Sequence, residues 1–205
     1  MKNSVVGYAA VAFVRTYLTK EEKLTLLRLA RQAIETYVRE KKTIEPEIKD
    51  IRLRANGSSF VTIKTGGHHL RGCIGNLLPY LPLYKSVVQN AVSACSRDPR
   101  FPPMSVEELR DMEVEVTVLS PMEPVQDIDE IVIGKHGLYL KKGYHSGVLL
   151  PQVPVEFGWD RNTFLRQLAI KAGLGPDEWK DARIYKFTAE VFSERDFGLE
   201  KDKRI

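Results

Sequence analysis

The chain has 205 residues, 43% of them hydrophobic and 28% charged, which suffices for one globular domain or one domain with two lobes and excludes a disordered chain. Its 31 basic and 27 acidic residues leave a formal net charge of +4, too even to indicate nucleic acid as a partner by itself, although such a partner stays open. Two cysteines, without a CxxC or HExxH motif, favour a reduced, cytoplasmic protein over a disulfide scaffold and predict neither a metal site nor a cofactor.

The first eighteen residues contain an apolar run, Val5 to Val14, behind a single lysine. The run holds about ten residues, which is too few to span a bilayer, so no membrane contact is predicted. Arg15 follows at once, and no small-residue cleavage site precedes the next polar stretch. We therefore interpret the run as an edge strand rather than a signal peptide.

Helices are predicted where capping residues precede apolar residues at helical spacing. Thr19 and Glu22 form a capping box ahead of the first helix, and Asp160 is the N-cap of another that stops at Gly173. The predicted helical spans are 20–42, 83–96, 105–111, 160–173 and a short turn at 176–181.

Strands are predicted between these helices, mostly in local meanders. Residues 51–64 have the pattern of a hairpin turning at Asn56-Gly57, with the strand at 69–75 as the third of a meander. Residues 113–119 and 131–150 give further strands, and the alternation from Tyr185 to Val191 predicts one last buried strand. The order is not a regular βαβ alternation, so the fold class is α+β with mainly antiparallel sheet and flanking helices.

The stretch from His69 to Gly75, His-Leu-Arg-Gly-Cys-Ile-Gly, is the main candidate for a functional site. Alternation along a strand places His69, Arg71 and Cys73 on one face, away from the apolar residues between them. Gly72 and Gly75 leave room for a ligand or for another backbone. A thiol flanked by a guanidinium and an imidazole is in surroundings that stabilise a thiolate.

The motif Leu70-Arg71-Gly72-Cys73-Ile74-Gly75 resembles the signature of the AMMECR family. Other stretches similar to that family follow in its order and spacing: Asp98-Pro99-Arg100-Phe101, His136-Gly137-Leu138, Leu150-Pro151-Gln152-Val153, Glu156-Phe157-Gly158-Trp159-Asp160 and Lys171-Ala172-Gly173-Leu174. The resemblance covers residues 19–193 and implies an α+β fold with a larger lobe, a smaller lobe and a cleft between them. It implies no reaction, because the activity of the family is not established.

Both ends of the chain differ from this family. Residues 1–18 are similar to the closing strand of Memo-type proteins, and residues 194–205 form a charged tail that we expect to fray. Memo and AMMECR segments occur fused or adjacent beside a radical SAM protein. The resemblance therefore implies Memo-type proteins, in a fusion of which this chain is the C-terminal module, and radical SAM proteins as partners.

Each motif residue has a functional and a structural interpretation, and the sequence leaves both open. Cys73 is either a nucleophilic or redox thiol or a small buried side chain, whereas Cys95 is taken as packing. Arg71 either binds a carboxylate or phosphate or pairs with Asp98 or Glu156.

Residues outside the motif strand have similar alternatives. Arg100 is a second anion-binding fork or the partner of Asp98. His136 is a general base or a solvated or capping turn residue, and His69 is the nearer imidazole to Cys73. Glu156 is an acid/base group or a buried acceptor.

The predicted function is a cleft-bearing module that uses Arg71 and Cys73 on a small anionic substrate or ligand. His136 and Glu156 are the acid/base candidates, and the predicted ligand-binding residues are Arg71, Gly72, Gly75, Arg100 and Gln152. The alternative is a non-catalytic module that binds a nucleotide, peptide or nucleic acid, or a scaffold. Fold-level resemblance does not choose between an enzyme and a binding module.

Overall fold

The computed structural model describes residues 18–67 and 69–199, so the predicted strand at 5–14 and nearly all of the Memo-like segment lie outside the described residues. The helices are α1 (Lys20–Glu40), α2 (Ile51–Arg54), α3 (Leu83–Ser96), α4 (Gln152–Glu156) and α5 (Arg161–Lys171). The strands are β1 (Ser58–Thr65), β2 (His69–Gly75), β3 (Glu113–Leu119), β4 (Glu123–Pro124), β5 (Gly137–Lys142), β6 (His145–Leu149), β7 (Arg183–Phe187) and β8 (Ala189–Ser193). Short 3₁₀ helices lie at Glu107–Asp111, Ile128–Glu130, Glu178–Asp181 and Arg195–Phe197.

The first sheet has the strand order β2-β1-β3-β8, and all of its pairings are antiparallel. One of its faces packs on α1 and α3, because apolar side chains alternate along the two central strands. The buried cross-strand pairs are Val61 with Val116 and Ile63 with Val114. Together with the apolar stripes of the two helices, they form the larger of two apolar cores.

The second sheet has the order β4-β7-β5-β6, is also antiparallel, and packs on α5 around its own apolar core. All of these elements lie between β3 and β8 in the sequence, so residues 123–187 are an insertion into the first sheet. Ser120 and Thr188 join the two crossings: each donates its backbone N–H to an oxygen of the other residue at 2.9 Å. The predicted α+β class with mainly antiparallel sheet and a larger and a smaller lobe is confirmed.

The capped helices follow the prediction. The Thr19 side chain accepts the Glu22 N–H at 3.2 Å, and the Glu22 carboxylate accepts the Thr19 N–H at 2.5 Å. α3 has the predicted bounds, and the Asp160 side chain accepts the Thr163 N–H at 2.7 Å to begin α5. These capping signals depend only on residues close in sequence, so they can be recognised without knowing the tertiary structure.

The predicted hairpin over 51–64 is wrong. The Asp50 side chain accepts two N–H groups of the first turn of α2 and so caps a helix at this place. β1 begins only after that helix, and Asn56-Gly57 does not join two strands. The motif strand β2 is therefore the second strand of a simple hairpin, turned at Gly66 and Gly67, and it lies at the edge of the sheet.

The predicted single strand from Tyr185 to Val191 is also wrong. It consists of β7 and β8, which belong to different sheets. The chain crosses between the sheets at Thr188, whose N–H donates to the Ser120 hydroxyl instead of to a neighbouring strand. The apolar alternation of the sequence continues through the crossing although the chain changes sheets there, and Val191, predicted to be buried, is 51% exposed.

The chain does not fray at Glu194. The Glu194 side chain is 2% exposed, and its Oε2 accepts hydrogen bonds from Arg31 Nη2 at 2.6 Å and from the Val114 N–H at 2.9 Å. Phe197 and Leu199 then pack against the larger core. The prediction of a frayed tail is thus wrong up to residue 199, because an acidic residue at its start has a buried cationic partner.

Candidate functional site

The motif strand β2 contains a β-bulge at Arg71. Thr62 of β1 pairs with Cys73, but two residues further along β1, Lys64 pairs with Leu70 and not with Arg71. Arg71 is therefore an extra residue without a cross-strand partner. Because opposite residues of an antiparallel pair share a face, Leu70 lies on the same face as Cys73, contrary to the prediction.

The bulge also separates His69 from Cys73. Cys73 lies on the face of β1 that carries Thr62, whereas His69 pairs with Thr65, which lies on the other face. The prediction that His69, Arg71 and Cys73 share one face is wrong, because an extra residue reverses the alternation upstream of it. His69 is exposed and is not placed to activate the thiol.

Gly72 and Gly75 make room for other parts of the protein. A Cβ atom on Gly72 would lie 2.1 Å from the backbone oxygen of Ala94 in α3. A Cβ atom on Gly75 would lie 2.2 Å from the Phe60 ring. Of the two uses that the sequence left open for these glycines, ligand or protein, the structure shows close approach by protein.

Arg71 fastens the loop after α3 to the motif strand. Its Nε and Nη2 donate to the two carboxylate oxygens of Glu108 at 2.5 and 3.0 Å, and Nη2 also donates to the Pro102 carbonyl at 2.9 Å. The side chain is only 11% exposed, and its hydrogen bond lowers the pKa of Glu108. An ion pair with Asp98 or Glu156 was one of the two interpretations left open for Arg71. The partner is Glu108 instead, because the bulged residue points toward this loop.

Asp98 and Arg100 cover the free edge of β2. Asp98 Oδ2 accepts the Cys73 N–H at 2.8 Å, and Arg100 Nη2 lies 3.4 Å from the Cys73 carbonyl oxygen. Arg100 also donates from Nε and Nη2 to the two Asp98 oxygens at 3.0 and 2.7 Å. An edge strand exposes unpaired N–H and C=O groups, and here two side chains occupy them. The predicted pair of Asp98 with Arg100 is confirmed.

The two cysteines differ in their surroundings. Cys95 lies on α3 and is buried in the larger core, and burial raises its pKa to about 11, so the predicted packing role is confirmed. Cys73 is half-buried on the outer face of the sheet, where Thr62 Oγ1 donates to its Sγ at 3.2 Å. The pKa of Arg100 is raised mainly by its hydrogen bond to Asp98, and negative charge on Cys73 adds to that effect. The thiol and the Thr62 hydroxyl therefore meet at this face, and the Arg100 guanidinium lies at the adjoining strand edge, beside the Cys73 carbonyl.

We expect Asp98→Asn to lower the free energy of unfolding by about 1.5–3 kcal/mol at pH 7, the range for hydrogen bonds to a charged group. The hydrogen bond from Arg100 holds the pKa of Asp98 well below its usual range, against the opposite effect of burial. Such a carboxylate stabilises the fold above its unfolded pKa, about 3.9, and the contribution is lost as the pH falls through the folded pKa. Urea unfolding at pH 7 and pH 3 should show a smaller difference at pH 3.

The matched control for this prediction is Asp177→Asn, an exposed aspartate whose side chain makes no cap hydrogen bond. It should change the stability by less than about 0.5 kcal/mol at either pH. A cost of Asp98→Asn that is equal at both pH values would show that the charge of Asp98 does not contribute.

His136 belongs to a turn of the smaller lobe. The ring nitrogen Nδ1 of His136 accepts the Val132 N–H at 3.1 Å, and the backbone N–H of His136 donates to the Val132 carbonyl at 3.0 Å. Burial lowers the pKa of His136, and the charges of Lys135 and Lys186 lower it further, so the ring is neutral at pH 7. This geometry matches the capping interpretation, and "solvated" is wrong because the residue is 9% exposed. The general-base role stays a prediction.

Gln152 and Glu156 lie at the two ends of α4, and both are exposed. Within the part of the chain that the structure describes, no hydrogen bond or ion pair joins them or His136 to Cys73. Trp159 packs against the smaller core. The structure thus brings Cys73 together with Arg100 and does not bring the smaller-lobe candidates to it by direct contact.

Sequence reasoning missed Glu108 and Thr62. Glu108 accepts the Ser105 N–H at 2.8 Å, as expected near the start of the predicted helix at 105–111, in addition to pairing with Arg71. Thr62 was placed on a strand but without a partner, since its position beside Cys73 depends on the strand register. A correct register across the Gly66-Gly67 turn was the one signal that would have found it.

The described part of the chain shows neither a metal-binding cluster nor a membrane-spanning helix. Among residues 18–67 and 69–199, no group of three or more His, Cys, Asp or Glu side chains is placed to hold a metal ion. None of the helices described in those ranges is long and apolar enough to cross a bilayer.

The fold and the site define an α+β domain of two antiparallel sheets, with a cysteine-bearing edge strand fastened by two arginine–carboxylate pairs. The model of the AMMECR1 family matches residues 27–192. The chain belongs to the AMMECR1 family, which confirms the resemblance seen in the sequence. The Memo-like resemblance of the N-terminal segment finds no support among the matches.

Similar proteins come from archaea. A protein of Thermococcus gammatolerans is 48% identical over 181 residues, covering 82% of this chain and 88% of its own length. A protein of Methanopyrus kandleri, MK0488, is 44% identical over 189 residues, covering 87% and 91%. The crystal structure of the uncharacterized protein PH0010 from Pyrococcus horikoshii has a TM-score of 0.77 and 42% identity, and the match covers 86% of this chain and 93% of that one.

Proposed function

We propose that the domain binds a small anionic group on the outer face of the first sheet, beside Cys73, and that Arg100 is the cation that fixes it. The state of Arg100 carries the proposal. Asp98 holds its Nε and Nη2, while Nη1 has no hydrogen-bond partner in the described part of the chain and the side chain is 52% exposed. A guanidinium held at one edge and free at the other binds a carboxylate or phosphate at little entropic cost.

Cys73 makes the same site a candidate for covalent chemistry. The thiolate is the nucleophilic form of cysteine, and a nearby cation and a hydrogen-bond donor both stabilise it. Arg100 supplies the charge and Thr62 supplies the hydroxyl. In this proposal Arg71 does not touch the ligand, because Glu108 and the Pro102 carbonyl occupy it. Its part is to hold the loop that carries Arg100.

The test compares two alkylating reagents of similar size, anionic iodoacetate and neutral iodoacetamide, on Cys73. A Cys95→Ser background removes the second thiol and keeps a group that can donate to the Val92 carbonyl. Loss of a cation within reach of the reagent should lower the ratio of the iodoacetate rate to the iodoacetamide rate about threefold to tenfold in Arg100→Gln. Arg97→Gln is the matched control, since it removes the same charge from the neighbouring end of α3.

An iodoacetate preference that is the same in Arg100→Gln and Arg97→Gln would contradict the proposal. If Cys73 reacted with neither reagent until the protein unfolds, the proposed nucleophilic role of Cys73 would be contradicted, but the proposed anion binding would not. Anion binding would then be judged by whether inorganic phosphate raises the melting temperature of wild type and not of Arg100→Gln. The association with Memo-type and radical SAM proteins stays a prediction.

A further inference from the structure

We propose that the edge of the motif strand at Gly75 binds the C-terminal residue of a peptide, whose carboxylate lies against Arg100. The proposal rests on the anion site proposed above and names the chemical class of its ligand, an N-acylated amino acid with a free α-carboxylate. Three features support it: the direction of the Gly75 backbone groups, the unpaired part of the Arg100 guanidinium, and the side chains that close the edge beyond Gly75.

Both backbone polar groups of Gly75 face the free edge of β2. Successive residues of an antiparallel strand direct their N–H and C=O groups to opposite edges. The Asn76 N–H donates to the Ser59 carbonyl at 2.9 Å, on the side of β1, whereas the Cys73 N–H donates to Asp98 at 2.8 Å, away from β1. Gly75 is one residue from Asn76 and two residues from Cys73, so both contacts direct its groups to the free edge.

The two backbone groups of Gly75 are unpaired. Between described residues, neither its N–H nor its C=O makes a hydrogen bond outside the β1–β2 pairing, and the alternation excludes both groups from that pairing. Gly75 is partly exposed, and the Phe60 ring, 2.2 Å from where a Cβ atom would stand, covers the face of Gly75 and not its edge. One ligand residue in antiparallel orientation satisfies both groups with its own C=O and N–H.

Arg100 supplies a positive charge at the same edge. The groups along this edge follow in order: the N–H and C=O of Cys73, then the N–H and C=O of Gly75. Asp98 accepts the first of them, and Arg100 Nη2 lies 3.4 Å from the second. Asp98 holds one side of the guanidinium, so its unpaired Nη1 is left for a ligand at the Gly75 N–H. A carboxylate there accepts the Gly75 N–H with one oxygen and Arg100 Nη1 with the other.

The ligand strand has to end at this place. A ligand that pairs antiparallel with Gly75 runs toward Cys73, so its carboxyl end faces Arg100. The next edge position is closed, because Asp98 and Arg100 already occupy the N–H and C=O of Cys73. An internal peptide segment would have to displace this ion pair, whereas a terminal carboxylate binds to it. Capture of a C-terminal carboxylate by backbone N–H groups is one of the recurring modes of peptide recognition.

Charge favours an amide nitrogen in the ligand over an ammonium group. The Gly75 carbonyl accepts one N–H, which either group can donate. An ammonium group also needs a carboxylate to complement its charge. Asp98 and Glu108, the carboxylates bonded to the motif strand, are both paired with arginines. A peptide C-terminus therefore fits this edge better than a free amino acid does, and acetylglycine is its smallest representative.

The first test compares acetylglycine with acetylglycolate, in which an ester oxygen replaces the ligand N–H. Binding to the wild-type protein is followed by NMR titration of the Gly75 backbone amide. Acetylglycine should bind about threefold to tenfold more tightly, the effect of one hydrogen bond. It should also slow hydrogen exchange of the Gly75 amide and leave that of the Asn76 amide, which is already paired, unchanged. Equal affinities of the two compounds would overturn the proposal.

The second test separates this proposal from the anion site on which it rests. Arg100→Gln should weaken acetylglycine binding about tenfold, and the matched control Arg97→Gln should leave it within about twofold. If acetylglycine and inorganic phosphate bound Arg100→Gln as tightly as the wild type, both proposals would fail. If Arg100→Gln weakened acetylglycine and acetylglycolate while the wild type bound them equally, only the anion site would stand. Tighter binding of glycine than of acetylglycine would assign the edge to a free amino acid and overturn the peptide assignment.

Discussion

Glu194→Gln lowers the free energy of unfolding by about 3 kcal/mol, the lower end of the cost of removing one charge from a buried ion pair. The Glu194 carboxylate contacts both Nε and Nη2 of Arg31, and it also accepts the Val114 N–H. It therefore joins α1 to β3 at the place where β8 ends. Glutamine keeps the size of the side chain but leaves the Arg31 guanidinium, 23% exposed, without its main counter-charge.

The lower end of the range applies because Arg31 keeps a second partner. Its Nη1 lies 3.1 Å from a Glu35 carboxylate oxygen, one helical turn away, and Nη2 donates to the Met112 carbonyl at 2.8 Å. Burial lowers the pKa of Arg31, but its hydrogen bond and charge interaction with Glu194 outweigh this, so the pKa is raised overall. The interaction with Glu194 is thus the dominant support for the buried cation.

Glu35→Gln is the control for this expectation, because it removes a carboxylate from the same arginine at a site that is 40% exposed. Its cost should be about 0.5 kcal/mol or less, as for other i,i+4 pairs at a helix surface. Guanidinium chloride is unsuited here because it screens charges, so urea unfolding of the three proteins is the measurement. If Glu194→Gln lowered the free energy of unfolding as little as Glu35→Gln, water would have to reach the ion pair of Arg31 with Glu194.

A double variant separates the charge from the space it fills. Arg31→Met/Glu194→Leu removes both charges, and buried ion pairs replaced by apolar residues of similar volume often cost little. The double variant should therefore be more stable than Glu194→Gln. A double variant that is less stable would locate the contribution in hydrogen bonds to Val114 and Met112 rather than in the ion pair.

Elements set by short-range signals could be predicted from the sequence. The bounds of α3, the capping box at Thr19 and the Asp160 cap rest on residues within four positions of each other. The pair of Asp98 with Arg100 is of the same kind, since a single residue, Pro99, separates the partners and stiffens the chain between them. Local geometry was enough for these features.

Features that depend on register could not be predicted. Counting back from the Gly66-Gly67 turn without the bulge pairs Cys73 with Val61, one position away from the observed partner, Thr62. A single extra residue, Arg71, thereby decides which side chains share the face of the thiol. No sequence feature around position 71 predicts this β-bulge.

Long-range partners were missed for a related reason. Arg71 and Glu108 are 37 positions apart, so only the complete fold brings them together. The crossing at Thr188 is similar, because a regular alternation of apolar residues continues through it while the chain changes sheets. Periodicity predicts that a segment is a strand and carries no information on which sheet the strand joins.

Gly72→Ala lowers the free energy of unfolding by about 3 kcal/mol, the upper part of the usual cost of overpacking a core. The new methyl group would stand 2.1 Å from the Ala94 carbonyl oxygen, which belongs to the backbone of α3 and cannot rotate away. Either β2 or α3 must move by about 1 Å to restore van der Waals contact.

The change at Gly72 also reaches the Cys73 site. Displacement of β2 from α3 stretches the contacts of Cys73 with Asp98 and Arg100, which the loop after α3 supplies. The iodoacetate preference of Cys73 should therefore fall in Gly72→Ala together with its stability. Urea unfolding and the alkylation ratio, both in the Cys95→Ser background, measure the two effects on one protein.

Gly175→Ala is the matched control, because the same methyl group meets no backbone atom and only the Glu178 side chain, whose Oε2 lies 3.2 Å away. It should be neutral or stabilise the fold by about 0.4–1 kcal/mol, as alanine does where glycine's freedom is not needed. If Gly72→Ala were as stable as Gly175→Ala, β2 could not pack against α3 as closely as the 2.1 Å distance from the new methyl group to the Ala94 oxygen requires. A large loss of stability in Gly72→Ala with an unchanged alkylation ratio would mean that Asp98 and Arg100 move together with β2 and keep their contacts with Cys73. The edge contacts would then be stronger than the packing beneath them.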